Sequence, residues 1–135
     1  MALPISHPID EVVIHTSAVD CSTGKAAVAR APFKGTIKEI GTMISSVLST
    51  ADATVTTSIA GTAITGGAIV ITQSGSAIGD LDAAAVSGVV GNGVAANATI
   101  TAANTCLEGD LIKWALTGSG TAGGPLYCYA VIKRS

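Results

Sequence analysis

The residues of this chain whose types and spacing could carry chemistry are few: His7 and His15, the alternating pair Asp80 and Asp82, three cysteines, and the run Gly91-Asn92-Gly93-Val94-Ala95-Ala96. Histidine can ligate a metal or act as a general base near neutral pH. Neither histidine has a carboxylate or cysteine at ligand spacing on a shared element, and His7 sits between Ser6 and Pro8, so both read as exposed or interface side chains. Asp80 and Asp82 flank Leu81 like half of a calcium loop. A calcium ion takes about six to eight oxygens, and the Ala83-Ala84-Ala85 that follows supplies no side-chain oxygen, so the pair reads as solvated turn acids. The glycine run fits the GxGxxA pattern that holds a pyrophosphate, which works only between a strand and a helix N-terminus. Here the continuation Asn97-Ala98-Thr99-Ile100-Thr101 favours a strand. Cys21, Cys106 and Cys128 are odd in number with no CxxC spacing, so they read as small buried hydrophobes of a reducing cytoplasm rather than a disulfide framework or zinc site. No GxSxG elbow occurs. No enzyme activity, cofactor or metal is expected.

The scaffold that would have to position such groups is short of charge. From Ala53 to Leu107 only Asp80 and Asp82 are ionic, and charged residues make up 12% of the chain, roughly half the usual share. Apolar residues reach 48%, aromatics only 3%, and mean hydropathy is +0.58. A core of many small contacts follows, and part of the outer surface needs covering by further copies or a partner. A net charge of −2 offers no basic face for nucleic acid. No membrane partner and no secretory leader are expected, since no long apolar run escapes interruption by Gly, Ser or Thr.

Short β segments separated by Gly or Asn turns run through the chain. Strands are expected over Glu11 to Ala18, Lys25 to Arg30 and Phe33 to Leu48, the last with a bulge or bend at Gly41. The alternation of Val55, Thr57 and Ile59 predicts one buried face. Strands are also expected at Thr62 to Thr65, Ala68 to Gln73, Asn97 to Ala102, Leu111 to Thr117 and Leu126 to Lys133, the last two pairing across the glycine-rich stretch Gly118 to Gly124. Residues 74–94 read as a long loop with at most one helical turn at Asp80 to Val86. The expected fold is all-β: a single-domain, jelly-roll-like sandwich over residues 25–135. Residues 1–24 are read as an extended N-terminal arm and first strand.

Within that frame three groups stand out as contact candidates. The arm residues Leu3, Pro4, Ile5, His7, Pro8 and Ile9 are stiffened by two prolines and could reach a neighbour. Lys25, Arg30, Lys34 and Lys38 gather most of the positive charge and could orient the molecule on an acidic platform, although lysine also guards strand edges. Trp114, Tyr127 and Tyr129 are candidate subunit-contact or core aromatics. Exposed together, they would instead form a sugar platform.

The runs Ala31-Pro32-Phe33-Lys34-Gly35-Thr36-Ile37, Ser49-Thr50-Ala51-Asp52-Ala53-Thr54-Val55, Ile69-Val70-Ile71 and Asn104-Thr105-Cys106-Leu107-Glu108-Gly109-Asp110-Leu111-Ile112-Lys113 resemble capsid decoration, or cement, proteins of tailed bacteriophages, over about Arg30 to Ile132. The resemblance implies a small β domain, usually a homotrimer, made in the bacterial cytoplasm. It would be seated on the outer surface of the virion at threefold or quasi-threefold positions, with the major capsid protein as partner. The alternative is a head-fibre or tail-associated β module that binds host surface or glycans.

Overall fold

The computed structural model describes residues 10–118 and 124–135. The arm candidates Leu3, Pro4, Ile5, His7, Pro8 and Ile9 lie outside those residues. The strands are β1 (Glu11–Ala18), β2 (Ala26–Arg30), β3 (Gly35–Ile44), β4 (Ala53–Ile59), β5 (Thr62–Ala63), β6 (Ile69–Ile71), β7 (Leu81–Ala85), β8 (Ala98–Thr99), β9 (Thr105–Cys106), β10 (Leu111–Gly118) and β11 (Leu126–Arg134). They form two sheets. Sheet A runs β1-β11-β3-β7-β8 with β9 also on β3, and sheet B runs β2-β10-β4-β5 with β6 also on β4. The protein is an all-β sandwich, as the composition predicts.

Two-residue alternation builds the core between the sheets. Ala53, Val55, Thr57 and Ile59 of β4 are buried, as are Leu126, Cys128, Ala130 and Ile132 of β11. Ile37, Ile40, Ile69, Ile112 and Trp114 join them in one apolar cluster. The two buried hydroxyls are satisfied, Thr57 donating to Gly67 O at 2.7 Å and Thr42 to Asp82 O at 3.2 Å, which removes the cost of burying them. Thr16 on β1 donates to Val28 O on β2 at 2.9 Å and ties one edge of sheet A to sheet B.

Four expectations need correcting. β10 and β11 do not pair, because they lie in different sheets, β10 between β2 and β4 and β11 between β1 and β3. Leu81–Ala85 is a strand inside sheet A rather than loop or helix. Alanine has little intrinsic preference for strands, but Ala84 drops into the main core while Ala83 and Ala85 are covered from outside by Val90. The irregularity in β3 falls at Lys38, not Gly41: Val131 pairs with Glu39 and Ile132 with Ile37, so Lys38 is the extra residue. That bulge lets Ile37 and Ile40, three positions apart, both face the core. Finally, β1 pairs along its whole length with β11, so the sandwich begins at Glu11 rather than at residue 25.

Cys21, Cys106 and Cys128 are all free and buried. Burial pushes each thiol up from its ordinary value of 9.0, Cys21 to about 11 and Cys128 to about 12. The unfolded chain ionises first, so the stability these thiols contribute is complete below about pH 9 and is lost as pH rises through 11 to 12. Urea midpoints are therefore expected to hold up to pH 9 and decline above it, with iodoacetamide labelling all three cysteines only in the unfolded chain. A flat midpoint to pH 11 would contradict this.

Candidate functional site

A broad groove lies on the outer face of sheet A. It has a volume of about 630 Å³ and is lined by residues of β1, β3 and β11 and of the segment that follows β7. Strand register assembles it. Outward residues form rows across β1, β11, β3 and β7: Val13, Val131, Glu39 and Ala85 in one, His15, Tyr129, Gly41 and Ala83 in the next. The segment 86–97 folds back over this face and packs Val90 against Ala83 and Ala85, raising Val86, Val89 and Gly91 as a wall opposite β1.

A single carboxylate holds the wall to the floor. Tyr129 Oη donates to Glu39 Oε2 at 2.5 Å, and the Gly91 amide donates to Glu39 Oε1 at 3.1 Å. The Tyr129 side chain covers Gly41, where an added Cβ would come within 2.5 Å of its Cε1 and Cζ. Burial, and then the hydrogen bond and negative charge of Glu39, push the Tyr129 phenol well above its ordinary range, so it remains a donor at neutral pH. The bulge at Lys38 leaves both Lys38 and Glu39 on the groove side, and Val86 N satisfies the bulged carbonyl at 2.9 Å. His15 and Glu11 complete the rim along β1. The result is an apolar floor with a charged rim, and both oxygens of Glu39 are engaged in structure.

The neighbouring row has a different character. Ser17, Tyr127, Met43 and Leu81 stand side by side across the same four strands. Tyr127 is 46% exposed and Met43 40%. The turn before β7, held to β3 by Gly79 N to Ile44 O at 2.9 Å, adds Ile78, 75% exposed. Apolar side chains thus run across the end of sheet A away from the groove.

The three contact groups fare differently. Trp114 is fully buried on sheet B while Tyr127 and Tyr129 face outward on sheet A, so the three aromatics form no common platform. Lys25 and Arg30 flank β2 at opposite ends, roughly 17 Å apart at strand rise, and Lys38 lies on the other sheet, so the basic residues do not share one face. The bulge nonetheless brings Lys38 into the groove. The glycine run Gly91–Gly93 is a single 3-10 turn with Asn92 left-handed at φ 66, leading to extended chain rather than a helix. Asp80 caps its own turn by accepting from Ala77 N, and Asp82 accepts from Asn97 Nδ2 at 2.7 Å. Burial holds the Asp82 carboxyl above its ordinary value. Glu11, Val13, His15, Glu39, Val86, Val89 and Val131 went unrecognised as a set, because only register and the folded-back segment unite them. The alternation of β1 was the one local signal.

Among the described residues, no three of His, Cys, Asp and Glu gather as metal ligands would, and no helix is long and apolar enough to cross a membrane. Neither family models, nor curated proteins, nor solved structures give any match to this chain.

Proposed function

We propose that this is a structural virion protein, a decoration or cement protein that binds the outer surface of a phage capsid, engages the major capsid protein and stabilises the lattice, as a homotrimer at threefold or quasi-threefold positions. The carrying observation is the apolar row Tyr127, Met43 and Leu81 with Ile78 beside it, on a chain with too little charge to keep such a surface solvated. Exposed apolar patches of this kind mark association surfaces. The eight longer strands order as β1-β11-β3-β7 and β2-β10-β4-β6, which supports the jelly-roll reading. The glycan-binding alternative loses support because its third aromatic, Trp114, is buried.

The mechanism is mass action: a molecule that binds the assembled shell and not its separated parts lowers the free energy of the shell. Three contact sets per trimer prolong attachment through effective concentration. Purified protein is expected to co-sediment with empty shells of its cognate capsid protein and to raise their disruption temperature. Tyr127→Asp should weaken attachment about tenfold or more, the loss of one interface anchor. Failure to co-sediment at saturating protein would overturn the reading.

A further inference from the structure

Among the described residues nothing fills the groove, and the segment preceding β1 has the chemistry to do so. Arg134 N donates to Asp10 O at 2.6 Å, so the β1–β11 ladder continues past Glu11 and the backbone at Asp10 still follows the line of β1. Glu11, Val13 and His15 line the groove along β1, so the described chain runs out of the groove at its Glu11 end. Pro4 and Pro8 disfavour helix in the residues that precede β1 and favour an extended segment able to reach beyond its own chain.

From this geometry we infer that residues 3–9 of one copy seat in the groove of a neighbouring copy, linking copies head to tail. In an extended segment Leu3, Ile5, His7 and Ile9 fall on one side and Pro4, Ser6 and Pro8 on the other. The apolar side matches the lining made by Val13 and Val131 of the floor and Val86 and Val89 of the wall. The prolines lack an N–H, so the segment docks by side chains in a groove rather than by adding a strand to a sheet edge. Seven extended residues span roughly 23 Å, enough to cross from one copy to the next. Such a contact joins unlike surfaces and closes into a ring when the rotation permits. It rests on the groove and the arm alone and needs no shell, so it stands or falls separately from the proposed function.

The test uses full-length protein and light scattering after size exclusion. Wild type is expected above the 13.2 kDa of one chain. Leu3→Asp with Ile5→Asp spoils the arm, and Val13→Glu, at a position 47% exposed, spoils the groove; each variant alone should elute as a monomer. Mixed together they should recover a two-chain complex, because the intact arm of one meets the intact groove of the other. Val89→Glu serves in place of Val13→Glu if circular dichroism shows the latter misfolded. A monomeric wild type, wild-type mass in either variant, or no complex on mixing would each overturn the inference.

Discussion

Replacing Trp114 with alanine is expected to lower the free energy of unfolding by about 3–5 kcal/mol, a large part of the roughly 5–15 kcal/mol a domain possesses. Trp114 is the single tryptophan of the chain and is fully buried. It pairs with Ala27 on β2 and Thr57 on β4, and the surrounding cluster is mostly Ile, Val, Leu and Ala. Small neighbours on both sides cannot close over the gap its removal leaves. Phenylalanine should cost much less, about 1–2 kcal/mol. The Trp114 Nε1–H has no acceptor among the described residues, and removing a buried unpaired donor recovers about 1–3 kcal/mol of desolvation, which offsets part of the lost contact. Urea unfolding followed by far-UV circular dichroism separates the two variants. A loss for phenylalanine close to that for alanine would mean that the indole N–H is satisfied in the folded protein, so that deleting it costs free energy instead of recovering it.

The same residue shows how far the sequence could be read. Its place in a strand, its alternation with Ile112 and Leu116 and its value as a core aromatic are local properties, legible from β10 itself. So are the alternations of β1, β4 and β11, and for the same reason: a strand half-buried on one face carries its own period. The pairing of β10 was not local. A glycine-rich stretch between two strands reads as a hairpin, yet this one carries the chain from sheet B to sheet A. β7 was hidden because Ala83, Ala84 and Ala85 are chosen for the space between β3 and the covering Val90, not for strand preference. The groove was the least legible part. His15, Glu39, Val89 and Tyr129 come from widely separated positions and meet only through register, and a bulge at Lys38 that no glycine announces turns two consecutive side chains toward it.

Gly41→Val is expected to destabilise the protein by about 2–4 kcal/mol, although valine is much the better strand former and the change would otherwise favour folding. The reversal comes from Tyr129. It is the cross-strand partner of Gly41, and a Cβ there would lie 2.5 Å from its Cε1 and Cζ and 2.6 Å from its hydroxyl, so the ring must leave. Its departure breaks the hydrogen bond to Glu39, worth about 1.5–3 kcal/mol when the acceptor is charged, and uncovers the packing with Ala83, Ala85 and Val90. Glu39 then loses the partner that aims its other oxygen at the Gly91 amide, and the groove wall is freed. Tyr129→Phe, which keeps the ring and deletes only the hydroxyl, should cost less than Gly41→Val while loosening the same segment, read as faster amide exchange at Gly91. Tyr129→Ala supplies the decisive comparison. With the ring gone, the three closest contacts of the added Cβ are removed, and the cost of Gly41→Val measured in that background should shrink toward zero or change sign, a coupling that neighbours show and distant sites do not. If the cost is the same in both backgrounds, Tyr129 is not what the glycine accommodates, and the link from Gly41 through Glu39 to the groove wall is wrong.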